Sequence, residues 1–519
     1  MHQANRNRYN AKRFSIRPAT FHIYFTGILL RTSLLKPCLP LLLMVMAGAI
    51  SILGYAPFYL YPLPIISLTT LFYYIQKSDS ATKAAWLGFS FGLGFFCAGV
   101  SWIYISLHDF GGMPFAMAAF ATFAFCAFLS LFTAAVGFIS KKLPHPAIAL
   151  PILWVVAEWI RSWIFTGFPW LNVGYSQIPY SPLAGFAPAL GVYGVSLLTA
   201  LVASLILLFL DTQTRKKTAI ALTTLFISGI SLQYVTWSKP EGDKFSVALL
   251  QGNIAQDMKW DAAEVQRTLD KYYALVTASN ASIIVMPETA FPMLVTQLPE
   301  AYIAALKAHA VKNQGDIIIG AVEYENEQYY NSMLSIGSAE TQVYRKSHLV
   351  PFGEFIPLKS VFGWIYRDWL NIPLTDLARG DIHQQPIQIS GKKAALNICY
   401  EDVFGEEIIR QLPQAGILIN ASNDAWYGES LASYQHLQMS QMRALETGRM
   451  MLRATNTGAT AVIGVDGKVI SQLPHFETGV LEESVQSYSG TTPYVRFGNW
   501  PVLLIMLSTL GLLWVRKKK

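Results

Sequence analysis

Seven apolar runs, each close to the length of a bilayer crossing, follow one another through the first half of this chain. They limit what it can fold into. They cover about 38–55, 58–76, 84–107, 114–140, 146–165, 188–210 and 218–237, and a helical crossing needs about 20 apolar residues. In hydrocarbon every backbone polar group has to be satisfied within its own segment, so such runs read as helices. Positive charge marks alternate gaps: Lys77 and Lys83, then Lys141 and Lys142, then Arg215, Lys216 and Lys217. The gap from Phe165 to Ala187 holds no charged residue. Basic gaps face the cytoplasm, so seven crossings from a cytoplasmic start deliver the chain to the outer side at about Ser238. An eighth apolar run, Trp500 to Val515, ends in Arg516, Lys517, Lys518 and Lys519 and returns it.

The expected division is therefore a basic cytoplasmic tail (1–37), a transmembrane domain of about seven helices (38–237), an outer domain (238–497) and a C-terminal transmembrane helix (498–519). The tail carries Arg6, Arg8, Lys12, Arg13, Arg17, Arg31 and Lys36 without an acidic residue. No small-residue cleavage site follows it, so it reads as a retained tail and not a secretory signal. The net charge of +7 does not imply nucleic acid, because the basic residues sit at chain ends and in gaps between apolar runs. The four cysteines lack metal-finger spacing; Cys38, Cys97 and Cys126 lie in or beside apolar runs, as small apolar side chains. Glu158 and Arg161 are three apart on one apolar helical face, where they can neutralise each other. The aromatic loop from Thr166 to Trp170 suits an interfacial belt or part of a lipid cleft.

The region after Ser238 changes texture. Segments at Val247, Ala281, Asp316, Ser332, Ala394 and Gly416 read as short buried strands. Helical patterns fall at about 261–279, 299–312, 403–412 and 431–450. Strand and helix in alternation predict a layered α/β domain. No P-loop or dinucleotide fingerprint is present.

Cys399 is the lone cysteine of this region. It closes the apolar run from Ala394 to Ile398 and precedes Tyr400, Glu401 and Asp402. A core cysteine is one reading of such a position; a nucleophile at a strand end is the other. Glu288 after Met286 and Pro287, and Lys346 before Ser347 and His348, occupy similar strand-to-loop settings. Singly they read as a turn carboxylate and a solvated lysine. Together they supply a base for the thiol and a cation for an oxyanion. That chemistry is acyl transfer through a thioester, with no metal or cofactor expected.

Met286-Pro287-Glu288, Tyr344-Arg345-Lys346 and Cys399-Tyr400-Glu401, in this order, resemble the nitrilase (carbon–nitrogen hydrolase) superfamily. The eight apparent spans, the stretches Gly252 to Trp260, Tyr330 to Ser332 and His348 to Pro357, and Asn423 to Gly428 resemble the bacterial apolipoprotein N-acyltransferases within it. The resemblance runs from about Leu39 to the C-terminus. It implies a four-layer α–β–β–α sandwich on a polytopic helical membrane domain of about eight spans, held in the bacterial inner membrane with the catalytic domain facing the periplasm. It implies Glu288 as general base, Lys346 as the oxyanion-stabilising lysine and Cys399 as the acylated nucleophile. Glu354 would assist the lysine, Tyr400 and Glu401 would shape the site, Trp260 would belong to the substrate entrance, and Asn331 would support substrate binding. The implied reaction moves an acyl chain from a phospholipid, typically phosphatidylethanolamine, through Cys399 to the α-amino group of a diacylated apolipoprotein. The aromatic residues among Phe352 to Leu374 suit a lid at the membrane surface or an amphipathic packing segment.

Two other readings use the same residues. A membrane-tethered amidase or hydrolase of the superfamily shares the thioester chemistry, although eight spans exceed what a tether needs. A membrane sensor or transporter with an outer ligand-binding domain would not need the thiol.

Overall fold

The computed structural model describes residues 38–256, 263–357 and 376–518. The tail 1–37, Trp260 and most of the aromatic stretch after Phe352 lie outside the described residues.

The apolar half is helical. Its helices are α1 (Leu39–Ser51), α2 (Pro62–Lys77), α3 (Ala81–Val100), α4 (Phe115–Ser140), α5 (Pro146–Arg161), α6 (Ala187–Leu210) and α7 (Arg215–Leu232). Among the described residues, four segments are long and apolar enough to cross a membrane: Ala81–Val100, Phe115–Ser140, Pro182–Leu210 and Trp500–Lys517. The others are shorter or more polar than the runs suggested. The run at 58–76 starts late because Pro62 and Pro64 suit a first helical turn, not an interior. The run at 84–107 ends its α-helix at Val100 and finishes in a π-turn, Ser106–Phe110. Contact between α1, α3 and α4 depends on missing side chains. A Cβ on Gly94 would lie 1.9 Å from the Val45 carbonyl oxygen, and one on Gly88 would lie 2.2 Å from that of Thr133. Such close backbone approach is how helices gain dispersion contact where lipid supplies no hydrophobic drive.

The charge-free gap, expected on the outer side, is not an open loop: it is buried without interruption from Pro169 to Pro179. It folds as short 3₁₀ turns, Val173–Gln177 and Pro182–Phe186. Glu158 and Arg161 account for this, and not as the ion pair their spacing suggested. Arg161 donates to the carbonyl oxygens of Phe168 (2.7 Å) and Trp170 (2.5 Å) and to Asn172 Oδ1 (2.8 Å). Glu158 Oε1 accepts from the Val173 amide (2.7 Å) and Trp154 Nε1 (2.9 Å). Irregular backbone that is buried needs such partners, and these two charges supply them.

From Ser238 the described residues form two six-stranded sheets. The first has the order β12 (Gly479–Gly490), β1 (Ser238–Gln251), β2 (Ile283–Val285), β3 (Asp316–Glu325), β4 (Gln328–Gly337), β5 (Gln342–Arg345). The second runs β11 (Val469–Gln472), β10 (Ala461–Ile463), β9 (Met451–Thr455), β8 (Ile417–Ser422), β7 (Lys392–Ile398), β6 (Ile387–Ile389). Their inner faces share one core, in which Val247, Leu249, Val285 and Ile318 meet Leu396, Ile398, Ile419 and Leu452. Helices α8 (Val265–Thr277) and α9 (Glu300–Lys312) cover the outside of the first sheet through Leu269, Tyr272 and Leu306. Helix α10 (Leu431–Thr447) covers the second through Leu437 and Ala444. The layers are therefore helix, sheet, sheet and helix, and α11 (Trp500–Lys518) closes the chain.

Helix α10 is also the seam. Its opposite face, with Ala432, Met439 and Met442, joins the core of the apolar helices. Gln435 Oε1 accepts from Trp170 Nε1 (2.7 Å), while its amide nitrogen donates to the Gly99 carbonyl (3.1 Å). Gln438 accepts from the Ala56 amide (2.9 Å) and donates to the Ile178 carbonyl (2.9 Å). A helix with little amphipathic pattern is buried here because both of its faces are core.

Candidate active site

Strands β7, β8 and β9 run parallel, as do β1, β2 and β3. In each sheet the carboxyl ends therefore gather on one edge, the usual location for chemistry in such sheets, and Glu401 links the two edges by accepting from Tyr344, Ser347 and Ile398. Glu288 follows β2, Lys346 follows β5, Cys399 follows β7 and Asp424 follows β8. Strands β2 and β8 are buried on both faces, and β7 is buried from Ala394 onward, whereas β5 buries only Tyr344. The polar residues begin where the hydrogen-bonded ladder stops.

Cys399 is 6% exposed and sits at φ +51°, a left-handed conformation that a side chain with a Cβ seldom adopts. Its carbonyl oxygen accepts from Asn420 Nδ2 (3.2 Å) and faces His436 Nε2 (3.3 Å). Burial, and then the charge of Glu288, push the thiol above its ordinary pKa, with Lys346 acting against them. The resting sulfur is therefore a thiol, and its attack needs a base at the moment of reaction.

Lys346 is 1% exposed. Its Nζ donates to Glu288 Oε1 (3.2 Å) and Glu354 Oε1 (2.9 Å). Asn331 Nδ2 donates to the same two oxygens, at 2.7 and 2.9 Å. Burial works against charge on the lysine, but the carboxylates of Glu288 and Glu354 outweigh it and hold its pKa well above the ordinary value. Glu354 is fixed from its other oxygen by the Val350 amide (2.8 Å). The four side chains form one hydrogen-bonded unit holding a fixed cation.

Glu401 ties the two loops together. Its Oε2 accepts from the Ile398 amide (2.7 Å) and Tyr344 Oη (2.9 Å). Its Oε1 accepts from the amides of Ser347 (2.6 Å) and His348 (3.1 Å) and from Ser347 Oγ (2.9 Å). One carboxylate thus spans the segment after Lys346 and the segment around Cys399. Burial raises its pKa, opposed by the Ile398 amide and then by the Lys346 charge.

Tyr400 points toward the helical half. Its hydroxyl donates to the Gly167 carbonyl (3.1 Å), and its ring stacks on Trp170 with centroids 6.4 Å apart. At Trp170 the aromatic loop is therefore protein core and not a surface belt. Trp170 is fully buried, although Phe165 stays 74% exposed.

Sequence reasoning missed the groups beneath the thiol: Asn420, His436, Asp402, Asp424 and Arg453, all 2% exposed or less. The available signal was Arg453, a charge inside the apolar strand Met451–Thr455, where an unpaired cation is untenable. No cluster of three or more His, Cys, Asp or Glu suited to a metal occurs among the described residues.

Two family models match this chain. The one described as "Apolipoprotein N-acyltransferase N-terminal domain" matches residues 47–205, and the one described as "Carbon-nitrogen hydrolase" matches 246–494. A protein of Nitrosomonas europaea named "Apolipoprotein N-acyltransferase" is 50% identical, over 90% of this chain and 94% of its own. Proteins of the same name are similar at 39% identity in Chromobacterium violaceum, over 94% and 96% of the two chains, and at 40% in Ralstonia nicotianae, over 89% and 92%.

Proposed function

The chain belongs to the apolipoprotein N-acyltransferase family, and we propose that it carries an acyl chain on Cys399 from a membrane phospholipid to the N-terminal amine of a diacylated lipoprotein. The observation that carries this reading is a buried thiol and a carboxylate-bound lysine at the linked edges of the two sheets, seated against apolar helices.

Glu288 takes the proton of Cys399 as the sulfur attacks the ester carbonyl of the donor, for which phosphatidylethanolamine is the expected phospholipid. The Lys346 ammonium, fixed by Glu354 and Asn331, stabilises the resulting oxyanion. The tetrahedral adduct collapses, Glu288 returns the proton to the departing glycerol oxygen, and a lysophospholipid leaves. In the second half the α-amine of the lipoprotein attacks the thioester and gives up a proton to Glu288. An amide forms, and the sulfur leaves and is reprotonated by Glu288. Every atom transferred belongs to the chain or its two substrates, so the cycle calls for no cofactor.

The membrane suits both substrates, because keeping acyl chains in lipid avoids the cost of extracting them, about 0.8 kcal/mol per CH₂. Phe115, Phe120, Phe123 and Leu504 are exposed on the helical half, as a lipid-facing surface requires. We infer eight crossings by counting the short helices with the four long ones, which sets the α/β half on the outer, periplasmic side of the inner membrane. Division into domains at 37/38, 237/238 and 497/498 follows from the same count. Trp260 is assigned to the substrate entrance on sequence grounds.

The test is a two-step experiment on the full chain. Phosphatidylethanolamine should add one acyl mass to Cys399, removable by hydroxylamine, and a diacylated lipopeptide should then discharge it. Glu288→Gln should slow adduct formation by about 10²-fold or more. An adduct lost to water equally fast without lipopeptide would point to the hydrolase reading. No adduct in folded protein would exclude both.

A further inference from the structure

Beneath Cys399 four charged groups from four separate segments meet without solvent. Asp402 lies three residues past the thiol, Asp424 follows β8, Arg453 is on β9 and His436 is on α10. The His436 ring lies between the carboxylates, with Nε2 2.8 Å from Asp402 Oδ1 and Nδ1 3.0 Å from Asp424 Oδ1. Arg453 closes the circuit, with Nη1 2.9 Å from Asp402 Oδ2 and Nη2 3.0 Å from Asp424 Oδ2. Ser440 Oγ also donates to Asp402.

The charge state follows from counting. Two aspartates and one arginine leave a buried excess negative charge, and a protonated imidazole cancels it; an uncompensated charge at zero exposure is the costlier state. Burial and the nearby Arg453 oppose protonation of His436, but Asp402 and Asp424 outweigh them and raise its pKa. Arg453 Nη2 lies 2.8 Å from His436 Nδ1. That distance suits Nδ1 as the acceptor of an Arg453 N–H, and in this tautomer, as in the charged ring, Nε2 carries a hydrogen.

Nε2–H is shared between Asp402, 2.8 Å away, and the Cys399 carbonyl oxygen, 3.3 Å away. Asn420 Nδ2 is the second donor to that oxygen, at 3.2 Å. Asn420 is oriented by Arg453 Nη1 on its Oδ1 (2.8 Å), and its Nδ2 also donates to Asn397 Oδ1 (2.6 Å). The charged ring therefore ends on one atom, the carbonyl of the proposed nucleophile, in a residue at φ +51°. In a planar trans peptide the carbonyl and the following N–H point in opposite directions. Pinning the Cys399 carbonyl thus fixes where the Tyr400 N–H and the thiol point.

We propose that His436 is a positioning residue which, with Asn420, holds the Cys399–Tyr400 peptide in the orientation that acyl transfer requires. The role rests on the acyl-thioester reading above. It acts on both tetrahedral intermediates, since both form at the same sulfur, and it does not touch the bound lipid.

The test uses the full chain in detergent micelles with phosphatidylethanolamine vesicles and a synthetic diacylated lipopeptide, following the Cys399 adduct by intact mass. His436→Leu should slow both acylation and discharge by about 100-fold, with the KM for phospholipid changed by less than about twofold. His436→Gln restores an N–H near the Nε2 position and should recover to within about tenfold of wild type. Asn420→Asp keeps the shape but removes the other donor, and should slow both steps as His436→Leu does. A folded His436→Leu protein acylating at the wild-type rate, or one altered in KM alone, overturns the proposal. If His436→Leu does not fold, Asn420→Asp at the wild-type rate overturns it. A wild-type chain that forms no adduct overturns the acyl-thioester reading and this one with it, whereas unchanged variants beside a normal wild-type adduct overturn the positioning role alone.

Discussion

The helical half and the α/β half both bury charge, and they use it differently. In the helices, Glu158 and Arg161 reach past each other to satisfy a loop, with five hydrogen bonds in all to side chains and backbone around Trp154 and Phe168 to Val173. Around the thiol of the α/β half, cations are held by carboxylates: Lys346 by Glu288 and Glu354, and Arg453 by Asp402 and Asp424, while Glu401 and Arg449 hold backbone in that half as well. A charge that props up backbone is structural, because its partners carry no chemistry. A charge held among titratable partners has its protonation state set by them, which catalysis needs. The two uses meet at Trp170 and Tyr400, where the propped loop stacks on the residue after the thiol.

This contrast can be broken by removing one buried cation from each half. Lys346→Met is expected to lower the rate of Cys399 acylation about 10³-fold, as for loss of an oxyanion donor in a dry site; single-turnover mass spectrometry reads it. A rate within tenfold of wild type would make the lysine structural. Arg161→Met strands three acceptors and is expected to cost about 3 kcal/mol of stability, seen as a lower thermal unfolding midpoint in detergent. An unchanged midpoint would mean that the loop from Phe168 to Val173 stands without it. The smallest effect concerns the thiol alone. Its pKa is raised above the ordinary 9.0, so the protonated form persists through that value and thiolate grows only above it. Alkylation of Cys399 by iodoacetamide should therefore still be climbing at pH 9, by up to about tenfold per pH unit. A plateau below pH 8 would instead indicate a preformed thiolate.

Much of the site was legible because its residues stand where texture changes. Glu288 and Cys399 each follow a buried apolar run, and a polar side chain there has nowhere to go except the sheet edge, whereas Lys346 follows the mixed strand Gln342–Arg345. Glu354 and Asn331 came from the resemblance, and the structure brings both onto the same pair of carboxylate and lysine groups. His436 was not legible. Its helix carries polar residues around its whole circumference, which from sequence reads as a solvated face; it is buried only because the apolar helices cover the side that the sheet leaves free.

The sequence by itself determined the apolar runs, the alternation of strand and helix after Ser238, and the thiol at the end of β7, since these depend on local pattern and on what hydrocarbon tolerates. Tertiary structure alone decided that the charge-free loop is buried, that Glu158 and Arg161 hold backbone and not each other, and that α10 lies between two cores. Each of these depends on which partner fills the second side of an element, and periodicity describes only one chain segment at a time. For α10 the partners come from distant parts of the chain, as when Trp170 meets Gln435, whereas Arg161 finds its acceptors at Phe168, Trp170 and Asn172 in the loop that follows it.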